Sequence, residues 1–244
     1  MSTPRFYLPL SLAPGMAVLL PEDVDHHARR VLRLRPGDDL IVFDGQGHEF
    51  RARLESDAKD ENRSQARIMD GGAVDREAKL AITLVQSLCA QERLDWLVEK
   101  CIELGAARLI LAPAARSVVR LEGERLERRL KRWREIAVAA CCQCGRNRLP
   151  PLETAPSLEA ALRMARDAAT RLLLDPLAAQ GLGRIEADSV ACVVGPEGGF
   201  TAQELSLADS LGYRRARLAP RVLRTETAGM AAIGALLALH GEMG

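Results

Sequence analysis

Apolar runs of strand length alternate with amphipathic stretches over the last two thirds of the chain. The run KLAITLVQSL (79–88) predicts a buried strand, and ERLDWLVEKCIELG after it predicts a helix with one apolar face that stops at Gly105. ARLILAP predicts another strand, and EGERLERRLKRWREIAVAACCQ a long helix. Further strands are predicted at RLLLD, SVACVV and RRARLA, and further helices at 157–169, 202–211 and 227–240. This alternation indicates an α/β fold with a largely parallel sheet covered by helices on both faces.

The first part of the chain has a different pattern. PEDVDHHARRVLRL (21–34) predicts one helix, with Pro21 in its first turn and acidic residues near its positive end. LIVFDGQGHEFRARL predicts two strands joined by a glycine-rich hairpin, because apolar and arginine side chains alternate along its second half. The polar segment DGGAVDREAK (70–79) follows. We therefore expect two domains, a small and mostly β domain at 1–72 and a larger α/β domain at 73–244.

A glycine-rich loop of the larger domain is the first candidate site. GPEGGF (195–200) follows a predicted strand, and its glycines permit positive φ and close approach of a ligand. Thr201 and Glu204 after it have the spacing of a capping box. The loop lacks the lysine and the spacing of a P-loop, and the carboxylate of Glu197 would repel a polyphosphate. The pattern favours a neutral or cationic ligand; a tight turn without a ligand is the alternative.

A second loop, LAPRVLRTETA, precedes the last predicted helix. It brings Arg221, Arg224, Thr225 and Glu226 to the start of that helix. The helix beyond is almost wholly apolar, and such a helix is buried on all sides, in a core or in a subunit interface. Ligands of α/β sheets usually bind at loops that follow the carboxyl ends of strands. The two loops together therefore predict a binding pocket.

Composition excludes several classes of protein. Apolar residues make up 48% of the chain and charged residues 27%, as in globular proteins, and no apolar run is long enough to span a membrane. The N-terminus lacks the basic start and apolar stretch of a signal peptide, so we expect a cytoplasmic protein. The cluster CCQCG has no second Cys or His pair to complete a zinc site. We therefore expect reduced thiols and no metal.

The net charge is only +1, but it is unevenly distributed. From Arg108 to Arg148 there are 11 Lys and Arg against 4 Asp and Glu, and 214–224 contains five Arg and no acid. Residues 1–75 instead carry 10 basic and 13 acidic groups. Two concentrated basic segments are typical of a protein that binds a phosphate backbone. A solvated basic helix face is the alternative.

Both loops are similar to the C-terminal signature of a known family. VVGPEGGFTAQE followed by LAPRVLRTETA resembles the ribosomal small subunit methyltransferase E (RsmE) family, which are 16S rRNA uridine-N3 methyltransferases of the SPOUT superfamily. The upstream blocks HHARRVLRLRPGD, DWLVEKCIELGA, ARSVVRL and RWREIAVAACCQCGRNRLPPL resemble other family blocks in the same order, so the resemblance covers nearly the whole chain. The sequence departs from the family pattern at Cys142 and at Gly229 and Met230, outside the loop glycines and arginines.

The resemblance implies a fold, a cofactor and an activity. It implies an N-terminal PUA-like β-barrel that helps to bind RNA, and a SPOUT-type C-terminal domain with a deep trefoil knot. S-adenosyl-L-methionine would bind in the knot, and the protein would be a homodimer. This cofactor has no phosphate and carries a positive sulfur, so the glutamate in the glycine loop is compatible with it. The implied activity is methylation of uridine N3 in 16S rRNA of the small ribosomal subunit.

The positions that match the family motifs are the candidate site residues. Cofactor-binding residues are expected at Leu174, Gly195, Pro196, Glu197, Gly198, Gly199, Leu218, Leu223, Arg224 and Thr225. RNA-binding residues are expected at Arg29, Arg30, Arg33, Arg116, Arg120, Arg146, Arg148 and Arg221. Catalytic candidates are Arg146, Asn147, Arg224 and Glu226. The arginines would stabilise charge on uridine O2 and O4, and Glu226 would accept the N3 proton, although capping of the helix is an equally suitable role for it.

Three other functions remain open at this point. A methyltransferase of the same superfamily could act on another RNA site, such as a tRNA ribose 2′-O. A non-catalytic assembly factor could bind RNA through the basic segments alone, but the two complete loop motifs count against it. A nucleotide-binding enzyme is disfavoured by the missing lysine and by the loop carboxylate.

Overall fold

The computed structural model describes residues 3–58, 60 and 63–243. The chain divides into two compact units, of which the first combines Met1–Arg76 with Cys141–Leu149. The second combines Glu77–Ala140 with Pro150–Gly244. The first unit thus extends four residues past the expected boundary at 72 and includes a segment from the middle of the chain. The hydrophobic pattern gives no indication of that second segment.

The first unit is built on a five-stranded sheet. Its strands are β1 (Arg5–Tyr7), β2 (Ala17–Leu19), β3 (Asp39–Phe43), β4 (His48–Ser56) and β5 (Ser64–Ala73), in the order β1-β3-β4-β5-β2. Only β1 and β3 run parallel; the other neighbours are antiparallel. Alternate side chains of β3 and β4, such as Leu40, Val42 and Ala52, enter one core. The predicted hairpin is confirmed within this larger sheet, whereas β1, β2 and β5 are additional to the prediction.

The helix predicted at 21–34 is shorter than expected. Helix α1 (Glu22–His26) continues into a single π-helical turn, His27–Val31, and ends there. Arg33 has a φ of 57°, and the backbone N–H of Leu34 donates to the carbonyl of Ala28 at 2.9 Å. This bond, from residue i+6 to residue i, closes the C-terminus of the helix beyond its π-helical turn. The chain therefore reverses at Arg33, which the apolar spacing of the sequence does not reveal.

Part of the polar segment at 70–79 belongs to the sheet. Strand β5 continues to Ala73, and its pairing with β4 shifts register between Ile68 and Asp70, so Met69 is the extra residue of a β-bulge. A Cβ on Gly71 would lie 2.2 Å from the carbonyl oxygen of Glu49 and 2.5 Å from the Cα of Phe50. Only glycine fits so close to a neighbouring backbone, so Gly71, which suggests a linker in the sequence, belongs to a strand that packs tightly against β4 just after the bulge.

The second unit is a wholly parallel six-stranded sheet with helices on both faces. Its strands are β6 (Ala81–Ser87), β7 (Arg108–Ala112), β8 (Leu152–Thr154), β9 (Thr170–Leu174), β10 (Ser189–Val194) and β11 (Arg214–Ala216), in the order β11-β9-β10-β6-β7-β8. Its helices are α2 (Gln91–Glu103), α3 (Gly123–Cys144), α4 (Leu158–Met164), α5 (Ala202–Ser210) and α6 (Thr225–His240). The α/β class and the parallel sheet are confirmed. Helix α4 is shorter than predicted, and β8 was not predicted.

Neighbouring residues of β6 show how both faces are covered. Val85 packs into a core with α4 and α5, which includes Leu162 and Ala208. Leu84 points to the opposite face, where α6 approaches so closely that a Cβ on Gly229 would lie 3.4 Å from it. The opposite directions follow from the two-residue period of a strand. Within the described ranges, no helix combines the length and hydropathy needed to cross a bilayer.

The chain from β11 to the start of α6 contacts two other segments: the one between β9 and β10, and the glycine loop after β10. Arg217 forms a β-bridge with Gly181, in the segment between β9 and β10. Arg214 donates to the carbonyl of Gly181 at 3.0 Å. At the end of the connection, the hydroxyl of Thr225 donates to the carbonyl of Gly195 at 2.5 Å. The path is compatible with the trefoil knot that the resemblance implies, and it brings the two predicted loops together.

Candidate cofactor pocket and RNA-binding residues

A cavity of about 970 Å³ lies between the two predicted loops, entirely within the second unit. Its volume falls in the range of roughly 300–1,000 Å³ that small-molecule sites have. The walls come from the end of β9 and the segment after it, from the glycine loop, and from residues 218–228. Nine of the ten predicted cofactor residues line it: Leu174, Gly195, Pro196, Glu197, Gly199, Leu218, Leu223, Arg224 and Thr225.

Gly198 is the tenth, and it does not line the cavity. The side chain of Arg116 covers it: a Cβ on Gly198 would lie 3.0 Å from the Cβ of Arg116. The guanidinium of Arg116 also donates to the carbonyls of Gly198 at 3.0 Å and Phe200 at 3.4 Å. The structure therefore gives a different reason for this glycine, which is that it leaves space for an arginine that lines the cavity.

The helix after the glycine loop begins as the sequence predicts. Thr201 accepts a hydrogen bond from the backbone N–H of Glu204, whose carboxylate accepts one from the N–H of Thr201, so the capping box is confirmed. The second carboxylate oxygen of Glu204 accepts from the N–H of Ala115 at 2.8 Å. The glycine loop is thus tied at its far end to the segment that carries Arg116.

The cavity lining contains charges of both signs. Asp175 and Glu197 contribute carboxylates, and the lining arginines are Arg116, Arg215, Arg221 and Arg224. A ligand with both a positive and a negative group can be held by such a lining. Burial, with Glu197 and Glu226 nearby, raises the pKa of the neighbouring Cys89 thiol to about 12. This thiol therefore stays protonated, and it is not a candidate nucleophile.

Glu226 lies in the first turn of α6 and is buried, with 5% of its surface exposed. Its Oε1 lies 3.6 Å from the Nε of Arg93. Among the described residues, its Oε2 has no hydrogen-bond partner. A buried acceptor without a partner is costly, and such atoms often mark a ligand or a catalytic role. Glu226 does not itself line the cavity, and it remains a candidate for the catalytic role predicted from the sequence.

The segment CGRNRL (144–149), which carries three of the candidate residues, belongs to the first unit. The amide of Asn147 is buried and fully engaged, since its oxygen accepts from Arg5 at 2.6 Å and its nitrogen donates to the carbonyl of Val74 at 3.0 Å. The carbonyl of Asn147 accepts from the N–H of Gly47 at 3.0 Å. These bonds favour a role for Asn147 in fixing the loop. Of the two arginines next to Asn147 in the chain, Arg146 is buried and Arg148 is exposed.

Glu49 of β4 anchors the same loop to the sheet of the first unit. Its carboxylate accepts from Arg76 at 2.7 and 2.9 Å and from Arg5 at 2.8 Å, and both arginines also donate to the carbonyl of Gly145. The bonds from Arg76, with those from Arg5, outweigh the opposing effect of burial and lower the pKa of Glu49 to about 2. Glu49 therefore stays ionised well into the acid range.

We expect the first unit to lose stability as the pH falls below about 4.5, the ordinary pKa of the Glu49 carboxyl. Because the folded-state pKa is depressed, the stabilisation is present in full above that value and is lost as the pH falls through about 2. Thermal unfolding midpoints recorded from neutral to acid pH measure the effect. Glu49→Gln should unfold earlier at neutral pH and show a shallower acid decline; an unchanged decline would contradict the assignment.

The other predicted RNA-binding residues of the first unit lie at the end of α1. Arg29 and Arg30 are in the π-helical turn, and Arg33 follows it in the left-handed conformation. Arg29 lies 3.7 Å from Asp25, whereas Arg30 and Arg33 are exposed. A π-turn and a left-handed non-glycine residue are both uncommon, and both occur preferentially at functional sites.

The predicted RNA-binding residues of the second unit lie near the cavity or after β7. Arg116 and Arg221 line the cavity, and Arg120 is exposed in the segment between β7 and α3. Gln86 and Arg93, which contact the two loops without lining the cavity, were not singled out from the sequence. Their position at the β6–α2 connection, after the carboxyl end of a strand, was the available indication.

No metal site accompanies these residues in the part of the chain that the structure describes. Over residues 3–58, 60 and 63–243, no group of three or more His, Cys, Asp or Glu is placed to hold an ion. No disulfide joins any of the six cysteines, including the three of the CCQCG cluster.

Family models match both parts of the chain. A model described as RNA methyltransferase domain matches residues 76–237, and one described as RNA methyltransferase PUA domain matches residues 20–61. The first match covers most of the second unit. The second match covers the turn at the end of α1 and the β3–β4 hairpin.

Known proteins are similar over nearly the whole chain. The ribosomal RNA small subunit methyltransferase E of Mycobacterium bovis is 33% identical over 95% of this chain and 90% of its own. The crystal structure of the enzyme of that name from Neisseria gonorrhoeae, bound to S-adenosyl methionine, is 37% identical, with a TM-score of 0.86 over 98% of each chain. A protein of Legionella pneumophila, solved with the bound cofactor SAM, is 33% identical with a TM-score of 0.92 over 98% of each chain.

Proposed function

The chain belongs to the ribosomal RNA small subunit methyltransferase E family, and from this premise we propose that it transfers a methyl group from S-adenosyl-L-methionine to N3 of a uridine in 16S rRNA. The observation that supports the proposal most is the cavity between the two loops, lined by nine of the ten residues expected to bind the cofactor. Because the proposed substrate is 16S rRNA, we also propose that the protein acts in the cytoplasm.

The lining of the cavity suits this cofactor. Adenosylmethionine supplies a methyl group on a positively charged sulfur, together with an amino acid moiety and an adenosine. Leu174, Leu218 and Leu223 offer apolar surface for a base, and Asp175 and Glu197 are compatible with positive charge. The same two carboxylates would repel the phosphates of a nucleotide. Because four arginines also line the cavity, the preference for adenosylmethionine over ATP rests on the missing P-loop lysine and on the family match.

The remaining task of the protein is to make uridine N3 nucleophilic. Neutral uridine carries a proton on N3, so an acceptor must remove it as the new bond forms. We assign that role to Glu226, whose buried Oε2 has no hydrogen-bond partner among the described residues. Arg224, which is exposed and lines the cavity, and Arg146 would stabilise the negative charge that spreads to O2 and O4.

Binding of the RNA is assigned to the exposed arginines of both units. Those of the second unit are Arg116, Arg120 and Arg221, and those of the first unit are Arg30, Arg33 and Arg148, together with the partly buried Arg29. Arginine is well suited to phosphate oxygens because its guanidinium donates two parallel hydrogen bonds. We expect each contact to contribute to the salt dependence of binding and little to sequence preference.

We also propose that the protein is a homodimer through α6. Ala232, Ile233 and Leu236 of this apolar helix are buried, whereas Met230 and Gly234 are only partly covered within one chain. A helix that is apolar all round requires cover on every side, and a second copy would provide it.

The substitution Gly234→Glu tests the dimer. A Cβ on Gly234 would meet nothing within 4 Å, so we expect the variant chain to fold as before. A charge on the interface would instead oppose association, and sedimentation equilibrium should show a monomer where the wild type is a dimer. A wild type that sediments as a monomer, or a variant that remains dimeric, would contradict this interface.

The activity itself is tested by mass spectrometry of 16S rRNA from a deletion strain. We expect the loss of one N3-methyluridine and its return when the chain is supplied on a plasmid. Loss of a ribose 2′-O-methyl group instead would support the related methyltransferase, and unchanged rRNA would support the non-catalytic assembly factor. Calorimetric titration with S-adenosylhomocysteine and with ATP tests the pocket separately, and only the first should bind.

A further inference from the structure

We propose that Gln86 and Arg93 are positioning residues that hold the glycine loop to the start of α6 and thereby set the affinity for adenosylmethionine. Neither residue lines the cavity, and neither belongs to the two loop motifs. The inference rests on the proposed function, since it assumes that the cavity binds this cofactor. We refer to the two residues as the polar clamp.

The first half of the clamp is a chain of hydrogen bonds. Gln86 Nε2 donates to the hydroxyl of Thr225 at 2.8 Å, and that hydroxyl donates to the carbonyl of Gly195 at 2.5 Å. Gly195 is the first residue of the glycine loop, and Thr225 is the first of α6. One buried amide in β6 therefore fixes the hydroxyl that joins the two motifs.

The direction of these bonds follows from the chemistry of the partners. The carbonyl of Gly195 can only accept, so the hydroxyl of Thr225 must donate to it and has only its lone pairs left for Gln86. Gln86 must then present its amino group, which also lies 3.1 Å from the carbonyl of Ser87. A glutamine is required, because glutamate cannot donate to both acceptors.

The packing around Gln86 holds it in this position. Gln86 is fully buried, and a Cβ on Gly229 would lie 2.9 Å from its Oε1 and 3.2 Å from a methyl group of Leu97. Gly229 therefore leaves the space that the glutamine side chain occupies. This gives a physical reason for glycine at the position where the sequence departs from the family pattern.

The second half of the clamp is an arginine between two carboxylates. Arg93, in the first turn of α2, has its Nη1 3.3 Å from Glu197 and its Nε 3.6 Å from Glu226. Glu197 is in the glycine loop and Glu226 is in the first turn of α6, so the guanidinium joins the same two segments as Gln86 does. The Glu226 side chain is only 7% exposed, so solvent screens this attraction less than at a surface.

The clamp explains how two distant segments form one pocket. The cavity walls come from 195–200 and 218–228, and a ligand between them requires both to be held in place. Segments already ordered before binding cost the ligand less conformational entropy. Removal of the clamp should therefore weaken cofactor binding although no atom that touches the cofactor has changed.

The test uses Gln86→Met and Arg93→Met in the full-length protein, with S-adenosylhomocysteine as the titrated probe. Methionine keeps the length of each chain but cannot donate a hydrogen bond, so we expect the Kd to rise about tenfold in either variant. The KM for adenosylmethionine should rise by a similar factor, while kcat at saturating cofactor stays within a few-fold in Gln86→Met. Arg93→Lys keeps the charge and should recover most of the lost affinity.

Two matched controls accompany these variants. Ser87→Ala removes a buried hydroxyl next to Gln86 that has no hydrogen-bond partner among the described residues, and its Kd should remain that of the wild type. Arg163→Met breaks an exposed ion pair with Glu159 on α4 and should also leave the Kd unchanged. Hydrogen–deuterium exchange of the unliganded proteins provides the second readout, and we expect faster exchange at 195–201 and 218–228 in the clamp variants alone.

The outcomes separate the inference from the proposed function. A wild type that does not bind the probe contradicts the proposed function itself. A wild type that binds, with clamp variants that bind equally well or that exchange no faster in the two loops, overturns the clamp. Weaker binding together with faster exchange throughout the second unit and a lower unfolding temperature also overturns it, because Gln86 and Arg93 would then act on general stability.

Discussion

Arg146→Ala is expected to reduce methyl transfer to RNA by roughly 100-fold or more, while the affinity for S-adenosylhomocysteine changes by no more than a few-fold. The two effects separate because every residue that lines the cavity belongs to the second unit, whereas Arg146 belongs to the first. Arg146 is also buried in a loop that Asn147 and Glu49 hold in place, so its side chain is supported on a rigid element.

Three measurements check this expectation. Transfer of labelled methyl groups to rRNA gives the rate, calorimetry gives the cofactor affinity, and thermal unfolding shows whether the buried arginine is also needed for the fold. Arg163→Ala, which removes an exposed arginine from α4, serves as the control. A collapse of cofactor affinity would show that the division of roles between the units is wrong. A large fall in the unfolding temperature would assign Arg146 to stability.

Glu226→Gln should lower kcat by roughly 100-fold, the lower end of what a positioned general base contributes, and leave cofactor affinity within a few-fold. Glutamine preserves the shape of the side chain and can still cap α6, but it cannot take the N3 proton. If capping were the only role, the substitution would have little effect on kcat. The comparison therefore separates the two roles that the sequence left open.

The pH dependence of the variant sharpens this test. As the pH rises, more uridine loses its N3 proton to solvent, so the deficit of Glu226→Gln should shrink if Glu226 is the base. Glu197→Gln serves as a comparison, because it also removes a carboxylate next to Arg93. Glu197 lines the cavity, so this variant should raise the KM for adenosylmethionine. Its activity relative to the wild type should not improve as the pH rises. A deficit of Glu226→Gln that is constant across pH would count against proton transfer.

Local patterns predict most of the second unit because its elements are defined by short-range chemistry. The buried runs at 79–88 and 189–194 become β6 and β10, and the capping box at Thr201 starts α5. The first unit was predicted less well. Strand β5 contains a bulge followed by two glycines, and the helix at 21–34 stops at a reversal that depends on packing. Neither feature has a local pattern that separates it from a linker or a longer helix.

In the candidate site, too, some residues could be predicted from local patterns and others could not. Motif glycines, leucines and arginines identify nine residues of the cavity because a loop that follows a parallel strand has few possible places to lie. Gly198 was expected from the loop motif to contact the ligand, whereas it lies against Arg116 in the structure. Gln86 and Arg93 were missed because a buried amide and a single arginine on a helix have no pattern of their own.

The sequence by itself therefore determined the class of fold, the family and the two loops that form the pocket, since each is encoded by residues that are close together along the chain. Only the tertiary structure decided that 141–149 folds with the first unit and that Gln86 and Arg93 tie the two loops together. Those features depend on contacts between residues up to 142 positions apart, and the geometry of such contacts is fixed only when the strands and helices pack.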